Sequence, residues 1–149
     1  MASLMRDGFV GFDTLTLTWL DRDTAVFEGR IACAGRIVVD VAKSLERVAG
    51  GTDDDPLIQT VRYSYNAFVQ GYGNILRYDN AHLHDGHGDP HHKHSFNWET
   101  RQEQPDSPIW IGADKWPTLG QVLHELRDWY YENRSSLPSE DYPREEHLR

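Results

Sequence analysis

Leu57-Ile58-Gln59-Thr60-Val61-Arg62-Tyr63-Ser64-Tyr65-Asn66-Ala67-Phe68-Val69 alternates more cleanly than any other stretch of the chain. Leu57, Val61, Tyr63, Tyr65, Ala67 and Val69 fall on one side, and Thr60, Arg62, Ser64 and Asn66 on the other. Strand side chains point alternately to opposite faces, so a period of two predicts a long central strand. Gly71-Tyr72-Gly73 then reverses the chain, and Asn74 to Asn80 returns as an antiparallel partner. Leu76 and Tyr78 take one face of that partner; Ile75, Arg77 and Asp79 take the other. The fold is therefore built on a sheet, and its hairpin presents Arg77 and Asp79 two residues apart on one face.

Towards the N-terminus the same period recurs. From Phe12 to Trp19, Leu15, Leu17 and Trp19 alternate with Thr14, Thr16 and Thr18, which predicts a half-buried strand rich in β-formers. Asp21-Arg22-Asp23 predicts a hairpin turn into a second run from Thr24 to Ile31. A third run from Arg36 to about Val41 places Ile37, Val39 and Val41 on one face. Residues 42–48 fit a continued strand or a short helix, and continuation is preferred. The breaker cluster Ala49-Gly50-Gly51-Thr52-Asp53-Asp54-Asp55-Pro56 predicts an exposed loop.

Towards the C-terminus, residues 97–108 are polar enough for a surface connection, and Ile109-Trp110-Ile111 is a short strand or an apolar plug. After Trp116-Pro117 comes the strongest helix signal: Thr118 as N-cap with Gln121 three residues on forms a capping box. Leu119, Val122, Leu123, Leu126 and Trp129 or Tyr130 follow on one helical face, which predicts packing against the sheet. Residues 135–149 are charged and contain Pro138 and Pro143, a composition that favours a disordered tail. The expectation is one α+β domain over residues 1–134, a twisted, mainly antiparallel sheet of about five strands with the Pro117 to Asn133 helix on one face.

The formal net charge is -9 across 149 residues. This argues against broad attraction to nucleic acid or anionic membranes, because phosphate binding needs concentrated positive surface. Cys33 is the only cysteine, so no intramolecular disulfide forms, which suits a reducing compartment. It lies in an apolar run and reads as a small buried hydrophobe. The N-terminus lacks the apolar region of a signal peptide, and no stretch approaches the roughly 18 apolar residues of a membrane span. A cytoplasmic protein is expected.

The chemistry is concentrated after the hairpin. His82, His84, His87, His91, His92 and His94 are six of the eight histidines in the chain. Imidazole both donates and accepts a proton near neutrality, with an unperturbed pKa of about 6.5. His92 and His94, alternate residues on an extended segment, face a common pocket with Lys93 turned away, or the reverse in a turn. Two such imidazoles beside a cation are the ingredients for metal-free cleavage of a phosphodiester, with Arg77 or Lys93 stabilising the added negative charge. The same histidines with Asp79, Asp85 and Asp89 also offer nitrogen and oxygen ligands, although their spacing matches no specific metal motif. A solvated polar loop with an ordinary Arg77–Asp79 ion pair is the plain alternative.

Arg77-Tyr78-Asp79-Asn80, Gly88-Asp89-Pro90-His91-His92-Lys93-His94 and Thr118-Leu119-x-Gln121-Val122-Leu123 together resemble the TumE-type toxins of bacterial and archaeal toxin/antitoxin pairs. The resemblance covers about Leu57 through Tyr131. It implies a growth-inhibiting toxin held silent by a cognate antitoxin, and it points to Tyr78, Asp79, Asn80, His92, Lys93 and His94. The expected activity is metal-independent RNA cleavage without a cofactor. His92 and His94 serve as base and acid, Arg77 and Lys93 hold the phosphate, and Asp79 orients an imidazole. Tyr78, Asn80 and His91 join Lys93 as substrate-binding candidates. The expected partners are RNA and a small helix-turn-helix DNA-binding antitoxin. A non-catalytic protein-binding module and a histidine-rich metal-binding protein are the rival readings.

Overall fold

The computed structural model describes residues 2–80, 91–112 and 115–148. A short helix, α1 (Ala2–Arg6), leads into β1 (Val10–Asp13), β2 (Thr16–Trp19), β3 (Thr24–Cys33), β4 (Ile37–Val48), β5 (Leu57–Val69), β6 (Asn74–Asp79), β7 (His92–Ser95) and β8 (Ile109–Trp110), followed by α2 (Leu119–Asn133). The strands form one antiparallel sheet in the order β1-β3-β4-β5-β6-β7-β8, with β2 also pairing β3. The α+β class is as the patterning predicts, but among the described residues the sheet has eight strands rather than about five.

Part of the excess comes from the Phe12–Trp19 run, which is two strands. The Asp13 carboxylate accepts the Leu15 amide at 3.0 Å, taking a donor that a continuing ladder would use. The chain crosses there over Gly29, whose φ is +148° and where an added Cβ would lie 2.6 Å from the Thr14 carbonyl oxygen. Beyond this break β2 is not half-buried: Leu17 is 49% and Trp19 40% exposed. The apolar face of β5 is likewise buried only from Tyr63 onward, and Leu57 and Val61 are exposed. Residues 42–48 do continue β4 as strand.

The helix begins as its sequence dictates. Thr118 Oγ1 accepts the Gln121 amide at 3.2 Å and Gln121 Oε1 accepts the Thr118 amide at 2.9 Å, satisfying two amides that would otherwise lack partners. Val122, Leu123, Leu126 and Tyr130 are buried in one cluster with Ile31, Val39, Tyr65, Ala67 and Val69 of the sheet. Each such side chain removed from water contributes about 1.5–3 kcal/mol, so this layer is the main source of stability. Cys33 is buried, and desolvation raises its thiol pKa well above the ordinary value.

The charged segment after α2 carries packed apolar side chains. Leu137 joins the helix-side cluster, while Leu148 packs with Ala32 and Val38 on the other face of the sheet, against Phe12 and Phe68. The Gly35 and Arg36 amides donate to the Glu140 and Asp141 carbonyls at 3.1 and 2.8 Å, and the Tyr142 hydroxyl donates to the Gly8 carbonyl.

Candidate functional site

Strand register assembles a polar face opposite the helix. Arg30, Asp40, Asn66, Arg77 and His94 are successive cross-strand partners from β3 to β7. Glu28, Ala42, Ser64, Asp79, His92 and Trp110 form the adjacent row. Directly paired residues share a face, so residues scattered over 83 positions of chain become neighbours because pairing, rather than a loop, sets their spacing. The last part of the histidine segment is β7, whose four residues are strand despite their polarity.

Four of the predicted residues converge at the β6–β7 end of this face. His92 Nε2 lies 3.1 Å from Asp79 Oδ1, and Arg77 Nε donates to Asp79 Oδ2 at 3.0 Å. The Asp79 carboxylate is thus held by partners on both oxygens, which is what allows an ionisable group only 5% exposed to sit inside. His92 is 1% exposed. Its ring meets that of His94 edge-to-face with centroids 4.8 Å apart. His94 Nδ1 is 2.7 Å from Glu103 Oε1, and its side chain is 12% exposed. Arg77 is the accessible cation of the group, with 39% of its side chain exposed. Each imidazole therefore has its own carboxylate, which fixes its ring orientation.

The remaining candidates point elsewhere. Lys93 and Tyr78, directly paired across β6 and β7, alternate onto the helix side. There Lys93 Nζ donates to Glu125 Oε2 at 2.7 Å and the Tyr78 hydroxyl donates to Glu125 Oε1 at 2.5 Å. Burial, together with the Glu125 carboxylate, pushes the Tyr78 hydroxyl pKa far up. His91 Nδ1 lies 2.9 Å from the Tyr63 hydroxyl, and Trp116 stacks on both rings, 4.8 Å from Tyr63 and 5.6 Å from His91. Asn80 has a backbone-like task. Its amide nitrogen donates to the Val61 carbonyl at 3.0 Å and its oxygen accepts the Tyr63 amide at 2.9 Å. This ties down the β5 bulge at Val61, which the β4 ladder skips. His82, His84, His87, Asp85 and Asp89 lie outside the described residues.

Glu103 and Glu125 were not foreseen. Glu103 sits in a polar connection nine residues beyond His94, where nothing marks one acid over another; an isolated bridge to Phe96 brings it alongside. Glu125 left a faint trace, as a carboxylate beside Leu126 at the edge of an apolar helical stripe.

The fold and this face define a small α+β domain whose sheet face opposite α2 carries an Asp–His–His–Arg cluster suited to moving protons beside an anion. The family model for the toxin TumE matches residues 10–132, and the chain belongs to that family. It is accordingly the toxin component of a toxin-antitoxin system, with a cognate antitoxin as its counterpart. No curated protein and no solved structure matches the chain significantly. Among the described residues, no helix is long and apolar enough to cross a membrane.

Proposed function

We propose that the toxin acts as a metal-independent ribonuclease, with His94 and His92 as the acid/base pair and Arg77 on the phosphate. The observation that carries this reading is the pair of imidazoles 4.8 Å apart, each backed by its own carboxylate, beside an accessible guanidinium. In the reaction, a 2′-hydroxyl loses its proton to an imidazole and its oxygen attacks the adjacent phosphorus. The 5′-oxygen leaves as it takes a proton from an imidazolium, giving a 2′,3′-cyclic phosphate and a 5′-hydroxyl end. His94, the more exposed ring, meets the substrate. His92, held by Asp79, exchanges protons with it, and Arg77 offsets the charge gained by the phosphorane. Lys93, engaged with Glu125, takes no part. The RNA runs over the polar row, where Asp40 is offset by Arg30 at 2.6 Å. The antitoxin we assign to this toxin is a small helix-turn-helix DNA-binding protein.

The test is cleavage of a labelled RNA by untagged protein in excess chelator, with the product ends identified. His94→Ala and Arg77→Ala should each lower the rate by about 10²–10⁴-fold, the usual contribution of such groups; the melting temperature should hold in His94→Ala and fall in Arg77→Ala, which leaves one oxygen of the buried Asp79 without its partner. Growth arrest that persists in both variants would instead support a protein-binding module. That second reading is favoured by one observation: Leu17, Trp19, Leu20 and Ile58 stand exposed at the β2–β5 end of the sheet, and apolar surface of this kind marks protein contacts.

A further inference from the structure

We propose that Asp79, His92 and His94 bind a single divalent transition ion of the zinc class, and that the bound ion silences the toxin. One carboxylate oxygen and one nitrogen from each imidazole all lie within 4.8 Å of one another. The Asp79 Oδ1 to His92 Nε2 separation of 3.1 Å is close to the edge of a zinc coordination tetrahedron, about 3.3 Å for bonds of about 2.0–2.1 Å. Rotation of the His94 ring brings its nitrogen onto the same ion. With His94 Nδ1 on Glu103, Nε2 is the nitrogen left to coordinate. A carboxylate behind a coordinating imidazole is the usual support for such a ligand, since it fixes the tautomer and raises basicity. Arg77 holds the other Asp79 oxygen and occupies a comparable supporting position, although its charge weakens the site.

Three protein ligands leave a fourth position for water, so the site is open rather than structural. Nitrogen and carboxylate donors with no thiolate select zinc, nickel or copper over magnesium or calcium. The inhibitory effect follows from the lone pairs: an imidazole bound to metal no longer accepts or delivers a proton at that nitrogen. This half rests on the acid/base reading above; the binding half does not.

The experiment uses the whole 149-residue chain, purified without an affinity tag, stripped with chelator, and carrying His82→Ala, His84→Ala and His87→Ala so that these three histidines contribute no ligands. Titration with Co²⁺ and Zn²⁺ should give one ion per chain, with the intense visible bands of four- or five-coordinate cobalt. His94→Ala should weaken binding by about 100-fold or more with the melt unchanged, and Asp79→Asn should lose the cobalt spectrum. Zinc should abolish RNA cleavage and excess chelator should restore it. Absence of stoichiometric binding, or binding unaffected by His94→Ala, overturns the proposal. Binding accompanied by faster cleavage overturns the silencing and, with it, the metal-free mechanism. Stoichiometric binding in a protein that cleaves no RNA in either state overturns the silencing and the ribonuclease reading, while the metal site stands on the cobalt spectrum.

Discussion

Replacing Lys93 with Met separates two uses of one residue. Read from sequence, Lys93 lies between two histidines and belongs on the phosphate; in the fold its ammonium is 2.7 Å from Glu125 and 5.4 Å from the centre of the Tyr78 ring. Met keeps the unbranched stem and its packing but deletes the charge. A hydrogen bond to a charged group contributes about 1.5–3 kcal/mol and an ammonium over an aromatic ring about 0.5–1 kcal/mol. Against this stands the desolvation of Lys93, which the substitution relieves. Both partners are half-buried, and the Tyr78 hydroxyl still serves Glu125, so a net loss of about 1–2 kcal/mol is expected. For a chain of this length that lowers the melting temperature by about 2–8 °C. Circular dichroism melts measure the shift, and growth arrest on induction measures function. Toxicity should survive. An unchanged melt with abolished toxicity would show that Lys93 serves the substrate, and the strand-alternation argument would fail.

Other expectations follow from buried groups and from the β1–β2 crossing. The Tyr65 hydroxyl is buried with no hydrogen-bond partner among the described residues, so Tyr65→Phe should leave stability unchanged or raise it by up to about 2 kcal/mol; a clear fall in the melt would reveal a partner. Gly29→Ala puts a methyl against the Thr14 carbonyl at a positive φ and should cost about 1–3 kcal/mol. Gly71→Ala, with a positive φ but open space around it, should cost about 1 kcal/mol; equal losses in denaturant melts would refute the clash. Burial pushes the Tyr65 hydroxyl up to about 12 and Tyr78 upward as well. Both favour the neutral form when folded, so their contribution is fully present below the unfolded tyrosine value of about 10 and is lost as pH rises through the folded values. Tyrosinate absorbance should show these two titrating only with unfolding. Ionisation of all 7 tyrosines near pH 10 in an intact fold would contradict this.

The central hairpin and the capped helix were legible because their signals are local. Alternation from Tyr63 to Val69 and the Thr118–Gln121 pair each announce their structure within a few residues. The split of the first run was not legible, because it depends on the Asp13 side chain taking an amide and on Gly29 meeting the chain from the next strand. β7 was hidden because strand formation there comes from pairing with β6 rather than from apolar alternation. The convergence of Arg77, Asp79, His92 and His94 was legible in outline as same-face residues in adjoining segments. Glu103 and Glu125 depend on long-range folding that no local pattern encodes; alternation offered the correct side for Lys93, but only pairing with β6 decides between the extended reading and the turn.

Because β6 and β7 are locked together by backbone pairs from Leu76–Ser95 to Asp79–His92, the positions of the four clustered side chains do not depend on how many residues join the two strands. A change in the length or sequence of the joining segment should thus leave the cluster in register. The same independence makes it the natural place to insert a reporter peptide or a cleavable tether while leaving the chemistry in register.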